Sequence, residues 1–348
     1  MGFSDRILGK KSSNGTPHIE ALAPACALTG GEVRIVGSGL RPQELLRPKV
    51  QFGDFEGPVV VSSNGFLVTR VPEGAVSGPV VVAHNGHVSN TQTVKVAVTI
   101  AENLHPVTNP AVDPEGNVYV TFSGSRGQKV PVAIFKIDTN YVVKPFVSEM
   151  MNATSIALDA QGQMYVSSRH DGAVYRASSS GALTTFAEGL GVATGIAFDR
   201  EQSLYVGDRN GTIFKIARDQ QMFVFATLEM SVSAYHLAFG PHGDLFVTGP
   251  NDRVYKIDPS GAVSTFYKGL GRPQGLAFDA DGNLYVAASL AGTRGIVRLT
   301  PDAKASLAVA GPGLVGLAFA PGRSVILATT SAVHHLSWDI AGPNRTSE

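Results

Sequence analysis

Residues 195–216 read GIAFDREQSLYVGDRNGTIFKI and residues 275–300 read GLAFDADGNLYVAASLAGTRGIVRLT, which are two copies of one phrase. Four further copies begin at Pro110, Ser155, His236 and Gly316. The copies recur about every forty residues, a period typical of the four-stranded blades of a β-propeller. The repeat therefore predicts an all-β fold with six blades.

Each copy encodes short strands separated by polar turns. In the third copy, residues 196–198 are apolar, Asp199 begins a turn, and residues 204–206 are β-branched or aromatic. A third strand, TIFKI, and a fourth strand, which begins at Met222, complete the blade. Each fourth strand ends where the innermost strand of the next copy begins, as expected for blades arranged around an axis.

The sixth copy lacks a fourth strand, because only the polar tail 341–348 follows Ile340. The segment VAVTIAENL, residues 96–104, aligns with the fourth strand AVSTFYKGL and stands directly before the first copy. We therefore expect residues 98–101 to pair with the last blade and close the six-bladed ring, with Val98 and Ile100 pointing to one face. Closure would remove the exposed strand edges.

Residues 17–97 do not share the repeat. Their short Val- and Ile-rich runs, separated by Gly, Pro and Asn turns, predict a small β-sandwich. The order P-x-I … G-G-x-V-x-I-x-G-x-G-L … V-x-F-G … V-P-x-G … S-G-P-V-V-V resembles an IPT/TIG immunoglobulin-like domain. The positions that match are Gly37, Gly39, Leu40, Phe52-Gly53, Val71-Pro72 and Ser77-Gly78. The resemblance implies an immunoglobulin-like domain over nearly all of this segment.

Residues 98–340 resemble NHL-repeat proteins and the gluconolactonase (senescence-marker) superfamily. In gluconolactonase-like families, as the resemblance implies, Glu, Asn or Asp side chains before the inner-strand glycines hold a divalent cation. This chain has Thr108, Thr154, Thr194, Tyr235, Gln274 and Val315 at those positions. Hydroxyls, an amide and a Val supply no negative charge for a hard cation such as calcium. We therefore expect no metal and no cofactor.

The residues that begin the innermost strands are candidates to bind a ligand in the central channel. They form a polar, uncharged ring suited to a small neutral ligand: Asn109, Thr154, Thr194, Tyr235, His236 and Gln274. His236 stands where three other copies have glycine. We expect its imidazole to project into the narrow end of the channel and to make binding vary between about pH 5 and 8. The alternative is that the ring only lines a water-filled tunnel.

A second candidate site follows the second strands of two blades, where loops place Arg169, His170, Asp208 and Arg209. Loops on a rigid scaffold are where binding residues concentrate, so these four residues are a candidate binding patch on the top face. For Asp208 we first expect a structural role, in which the carboxylate accepts hydrogen bonds from loop backbone amides, and membership of the patch is the alternative.

Composition restricts the partners. The 28 Lys and Arg residues balance the 28 Asp and Glu residues, so electrostatics gives no reason to expect nucleic acid or a membrane as partner. The single cysteine, Cys26, excludes an internal disulfide. Residues 1–16 read as a flexible tail without the apolar core of a signal peptide, which predicts a cytoplasmic protein. An extracellular location is the alternative if a leader has been removed.

These features predict a non-catalytic binding or protein-interaction scaffold, whose partner is another protein or a small neutral or polar ligand. The competing prediction is an enzyme, a lactonase-like hydrolase or a lyase, with His236 as acid or base and Tyr235 assisting. An enzyme needs a positioned base, whereas a binding platform needs only shape and hydrogen bonds.

Overall fold

The structure of the chain, a computed structural model, describes residues 16–41, 47–122 and 130–343. Regular structure in these ranges is entirely β-strand, as the predicted all-β class requires. None of the described residues forms a helix with the length and apolarity needed to cross a membrane. The chain divides into two compact units, Met1–Val96 and Ala97–Glu348. Most of the two predicted tails lies outside the described residues.

The N-terminal unit, Met1–Val96, contains two groups of short strands. They are β1 (His18–Ala23), β2 (Cys26–Ala27), β3 (Glu32–Ser38), β4 (Lys49–Phe52), β5 (Phe55–Gly57), β6 (Val59–Ser62), β7 (Phe66–Arg70), β8 (Gly78–His84), β9 (His87–Val88) and β10 (Gln92–Val96). One sheet has the antiparallel order β1-β3-β7-β6. In the other, β2 pairs in parallel with β10, and β8, β4 and β5 follow in antiparallel order, with β9 also paired to β8. Val33, Ile35 and Leu67 are fully buried, and the alternation along β3 is the period of a half-buried strand.

The C-terminal unit, Ala97–Glu348, begins with β11 (Val98–Glu102). Its described strands then form six groups of four, numbered here as blades 1 to 6. Blade 1 is β12 (Ala111–Val112), β13 (Val118–Thr121), β14 (Val132–Ile137) and β15 (Val143–Ser148). Blade 2 is β16 (Ala153–Leu158), β17 (Met164–Ser168), β18 (Ala173–Ala177) and β19 (Leu183–Ala187). Blade 3 is β20 (Ala193–Phe198), β21 (Leu204–Asp208), β22 (Thr212–Ile216) and β23 (Met222–Thr227).

Blade 4 is β24 (His236–Phe239), β25 (Leu245–Thr248), β26 (Arg253–Ile257) and β27 (Val263–Lys268). Blade 5 is β28 (Leu276–Phe278), β29 (Leu284–Leu290), β30 (Thr293–Leu299) and β31 (Ala305–Ala310). Blade 6 is β32 (Leu314–Ala320), β33 (Ser324–Thr329) and β34 (Ala332–Ser337), with β11 as its fourth strand. The innermost strands contact one another in chain order, and β32 of blade 6 contacts β12 of blade 1. This is a propeller-like arrangement.

The pairing predicted for the segment that precedes the first copy is confirmed. Strand β11 pairs antiparallel with β34, and Val98 lies opposite His335. The expectation that Val98 and Ile100 share a buried face is wrong, since Ile100 is buried while Val98 is 58% exposed. A register shift between Thr99 and Ala101 is the reason, because a β-bulge breaks the alternation of side chains along a strand.

Aromatic side chains explain why neighbouring blades pack together. In blade 3, the Tyr205 ring lies 4.9 Å from Phe225 of its own outer strand and 4.9 Å from Phe239 of blade 4, both edge-on. The same arrangement recurs around Tyr165 and Phe246. Such pairs contribute about 0.5–1.5 kcal/mol each beyond the area they bury. The repeated Tyr and Phe of the sequence phrase therefore join blades 2, 3 and 4 each to the following blade.

Candidate functional site

The threonines at the start of the inner strands form hydrogen bonds with backbone carbonyls of the protein. Thr108 Oγ1 donates to Thr154 O of the next blade over 2.7 Å. Thr154 Oγ1 donates to Asn152 O, and Thr194 Oγ1 donates to Gly207 O, over 3.0 and 2.8 Å. All three threonines are at most 2% exposed. The predicted ligand-binding hydroxyls of Thr154 and Thr194 are therefore buried and donate to backbone carbonyls.

The Asn109 side chain reaches from blade 1 to the inner strands of blades 5 and 6. Its Nδ2 donates to Leu276 O of blade 5 over 2.7 Å, and its Oδ1 accepts from Leu317 N of blade 6 over 3.1 Å. Glycine at position 275 leaves room for this side chain, because a Cβ there would collide with Asn109 Oδ1. The amide of Asn109 thus ties three blades together where the sequence predicts a ligand contact.

Gln274 accepts a hydrogen bond from a half-buried arginine, Arg294, that the sequence analysis did not select. Its Oε1 accepts a short hydrogen bond from Arg294 NH2, and Arg294 also donates to the backbone oxygens of Leu314, Gly271 and Arg272. Burial, with the charge of Arg272 as a second cause, lowers the pKa of Arg294 to about 10. The guanidinium donors are therefore used within the loops of blades 5 and 6.

Tyr235 is fully buried, and its hydroxyl donates to Glu229 O. Burial, with the negative charge of Glu229 as a second cause, raises the pKa of Tyr235 to about 12. The phenol is therefore protonated at neutral pH and occupied by a backbone carbonyl. A role in proton transfer would first require this bond to break.

His236 begins β24 at the predicted position but is only 5% exposed. Burial lowers the pKa of His236 from 6.5 to about 4. The imidazole is thus neutral throughout the range from about pH 5 to 8, so the expected pH dependence of binding from this residue is not supported. Among the described residues, neither ring nitrogen has a hydrogen-bond partner. His236 is buried rather than projecting into a channel because the neighbouring inner strand approaches closely. At Gly195 of that strand, a Cβ would lie 3.0 Å from the Cα of His236.

Asp208, one of the candidate top-face residues, has hydrogen bonds of the kind that its expected structural role requires. Its Oδ1 accepts a hydrogen bond from Val192 N over 2.7 Å, and Asn210 Nδ2 donates to both of its carboxylate oxygens. The carboxylate is buried beside Gly191, where a Cβ would meet its oxygen atoms. Asp208 therefore fixes the loops on which Arg209 and Asn210 stand.

The other predicted patch residues occupy two different blades. Arg169 and His170 follow β17 of blade 2, and Arg169 NH2 donates to Asn152 Oδ1 over 3.3 Å. His170 is exposed. Arg209 follows β21 of blade 3, and its Nε donates to Ser231 O over 3.2 Å. The contact made by Arg209 leads to the loop between blades 3 and 4.

Several side chains fix the loop 228–235, which joins blade 3 to blade 4. The Glu229 carboxylate accepts short hydrogen bonds from Asn251 Nδ2 and Tyr255 OH. Ser231 N donates to Arg209 O over 2.9 Å, and Ser231 Oγ donates to Gly249 O over 3.3 Å. The backbone of this loop is thus tied to both blades.

This fixed loop forms one wall of a surface groove of about 300 Å³. The groove is lined by Val192, Arg209, Asn210, Met230, Ser231 and Val232. Met230 is 74% exposed and Val232 is 90% exposed. Two large apolar side chains are therefore exposed to solvent beside an arginine. The backbone of the loop that carries them is held by the hydrogen bonds described above.

A spacing in the sequence could have identified this loop. Nine positions separate Phe186 from Gly195, and nine separate Phe266 from Gly275, whereas eleven separate Phe225 from His236. The longer connection between the third and fourth copies carries Met230 and Val232, and the repeat alignment passed over it. An insertion at one connection of a repeat is a signal for a binding loop.

No metal site is evident in the part of the chain that the structure describes. Within residues 16–41, 47–122 and 130–343, no three His, Cys, Asp or Glu side chains are grouped closely enough to hold a metal ion. The charged groups near the groove are instead an arginine and two carboxylates that accept protein hydrogen bonds.

Comparison with solved structures supports the propeller-like fold. An auxiliary nutrient binding protein from Bacteroides thetaiotaomicron is 14% identical, with a TM-score of 0.56 over 93% of this chain and 98% of that one. A gluconolactonase from Xanthomonas campestris is 14% identical, with a TM-score of 0.58 over 69% and 88%. A virginiamycin B lyase from Staphylococcus aureus is 14% identical, with a TM-score of 0.51 over 83% and 99%. A scan against protein-family models finds no match, and neither does a search of the curated proteins. The chain is therefore similar in fold to both binding proteins and enzymes.

Proposed function

We propose that this protein is a non-catalytic scaffold that binds a small molecule on its loop face, in the groove between blades 3 and 4. One observation carries the proposal: the fixed loop 228–235 exposes Met230 and Val232 beside Arg209. Exposed apolar side chains that lie together mark a place where a ligand can bind. A preformed surface lowers the entropy cost of ordering the protein on binding. By contrast, Asn109 and the threonines at the start of the inner strands form hydrogen bonds within the protein.

We propose, as the frame of this function, a six-bladed propeller closed by β11 and preceded by an immunoglobulin-like module of the IPT/TIG type. The pairing of β11 with β34 and the contact of β32 with β12 support closure. The two sheets of short strands in Met1–Val96 and the matched glycines of the sequence support the module. The names of the similar structures include nutrient binding, which is compatible with a binding role.

Fluorescence of anilinonaphthalene sulfonate, an anion with apolar rings, tests the proposal in the folded full-length chain. We expect saturable binding that falls about tenfold in the double variant Met230→Ser/Val232→Ser, which corresponds to about 1.4 kcal/mol. The matched control is Met222→Ser/Val224→Ser on β23, with the same residue types, the same spacing and exposed fractions of 44% and 64%. The control should bind the probe like the unmodified protein.

Two outcomes would reject the groove as the binding site. One is unchanged affinity in the groove variant. The other is an equal loss in both double variants, because that would show general adsorption to exposed apolar surface.

The competing function is a lactonase-like hydrolase or a lyase at the axis, and the unpartnered imidazole of His236 is the observation that favours it. A neutral buried histidine can accept a proton, although no side chain of the described residues orients it. Hydrolysis of gluconolactone above the spontaneous rate, lost in His236→Gln but retained in Met230→Ser/Val232→Ser, would establish the enzyme. We expect no turnover above the spontaneous rate.

A further inference from the structure

Within the part of the chain that the structure describes, the charge of Arg209 has no carboxylate partner. Its Nε donates to Ser231 O, and no Asp or Glu oxygen of the described residues lies within ion-pairing distance of its guanidinium. The neighbouring Asp208 carboxylate is occupied by Val192 N and by the Asn210 amide. The two terminal nitrogens of Arg209 are therefore donors that the rest of the described protein does not use.

The carboxylate on the same loop does not compete for Arg209 either. Glu229 accepts hydrogen bonds from Asn251 Nδ2 and Tyr255 OH of blade 4. Its position is thereby held on the blade 4 side of the loop. Among the described residues that line the groove, the half-buried Arg209 is the only Lys or Arg, and none is Asp or Glu.

Apolar side chains form the other part of the same groove. Val192, Met230 and Val232 line it, and its volume of about 300 Å³ lies at the lower end of the range of ligand sites. A small molecule could therefore bury an apolar portion on these side chains while one polar group reaches Arg209. The planar guanidinium matches a carboxylate because both groups are flat and can share two hydrogen bonds.

We propose that the groove binds a small carboxylate that carries an apolar group, with Arg209 holding the carboxylate and Met230 and Val232 holding the apolar group. This inference rests on the proposed function and gives it a ligand class. It also replaces the neutral channel ligand expected from the sequence with an anionic ligand at the loop face.

Calorimetric titration of the full chain with octanoate, octanol and acetate tests this ligand class. Octanoate should bind with one site per chain, octanol should bind more weakly because it lacks the charge, and acetate should bind weakest because it lacks the apolar group. Raised salt should weaken octanoate binding and leave octanol binding nearly unchanged. This comparison needs no variant and so does not depend on the folding of one.

Variants of Arg209 test whether this residue binds the carboxylate group of octanoate. Arg209→Gln should lower octanoate affinity about tenfold or more and leave octanol affinity unchanged. Arg209→Lys should lose less, because it keeps the charge but not the flat donor pair. Arg218→Gln, at an exposed arginine in the turn after β22, is the control and should bind both probes normally. The Arg209 variants are compared by thermal unfolding to confirm that they are folded.

Equal octanoate affinity in the unmodified protein and in folded Arg209→Gln would overturn the carboxylate assignment. If octanol then still binds and loses affinity in Met230→Ser/Val232→Ser, the groove remains a binding site for a different ligand class. If neither octanoate nor octanol binds, this inference is rejected, and the anilinonaphthalene sulfonate titration decides separately whether the groove is a binding site.

Discussion

At the scale of single residues, His236 shows how packing changes chemistry. Its position in the repeat predicts an imidazole that projects into the narrow end of the channel, whereas in the structure the side chain is buried, with 5% of it exposed. Burial makes the neutral imidazole the stable form and lowers its pKa to about 4. The residue therefore influences the stability of the fold as the pH falls.

We predict that His236 makes the protein less stable in acid. The pKa of His236 is about 4 in the folded chain, below the ordinary histidine pKa of 6.5, so the unfolded chain binds the proton first as the pH falls. The free energy of unfolding that comes from the low pKa of His236 is fully present above about pH 6.5 and is lost as the pH falls toward about 4. From about pH 7.5 to about pH 4.5, the unmodified protein should lose about 2.5 kcal/mol more than His236→Gln. Urea unfolding of both proteins at the two pH values measures this difference, and parallel losses would show that the imidazole titrates normally.

Sequence reasoning identified the residues at the axis but not their partners. Thr154, Thr194 and Asn109 were recognised as polar residues at equivalent positions of the repeat. Whether such a side chain faces solvent or a carbonyl of the next blade depends on the distance between inner strands. That distance is a tertiary property, set in part by Gly275 and Gly316, and a local pattern does not contain it.

At the scale of secondary structure elements, the repeat predicts the pairing of β11 correctly but not the direction of its side chains. The absence of a fourth strand in the sixth copy correctly predicted the pairing of β11 with β34. The simple period of two then placed Val98 and Ile100 on one face. The bulge between Thr99 and Ala101 depends on the register of two strands more than 200 positions apart, so the segment itself did not reveal it.

The bulge makes a prediction about stability within one strand. Ile100 is buried in a core with Leu104, Val112 and Val333, so Ile100→Ala should cost about 2–4 kcal/mol. Val98→Ala removes two methyl groups from an exposed side chain and should cost less than about 0.5 kcal/mol. Denaturant unfolding of the two variants measures both values. Similar losses would mean that β11 does not sit in this register.

At the scale of the whole molecule, a propeller-like ring offers two places for function, the axis and the loop face. The repeat draws attention to the axis, because equivalent positions converge there. At this axis, however, the polar side chains of Asn109, Thr154 and Thr194 hydrogen-bond to the protein itself. The departure from the repeat, in the longer connection with Met230 and Val232, is where side chains remain open to a ligand. A non-repeated loop in a repeated fold is thus the more informative feature for function.

An NMR titration tests the binding site most directly. It follows the methionine methyl signals of the isotope-labelled full chain as anilinonaphthalene sulfonate is added. Met230 reports on the groove, Met222 on the exposed outer strand β23, and Met164 on the buried core. The rings of a bound probe would shift a nearby methyl signal strongly. We predict a saturable shift of the Met230 signal while the Met222 and Met164 signals stay in place. A stationary Met230 signal at saturating probe, or equal shifts of Met230 and Met222, would contradict binding in the groove between blades 3 and 4.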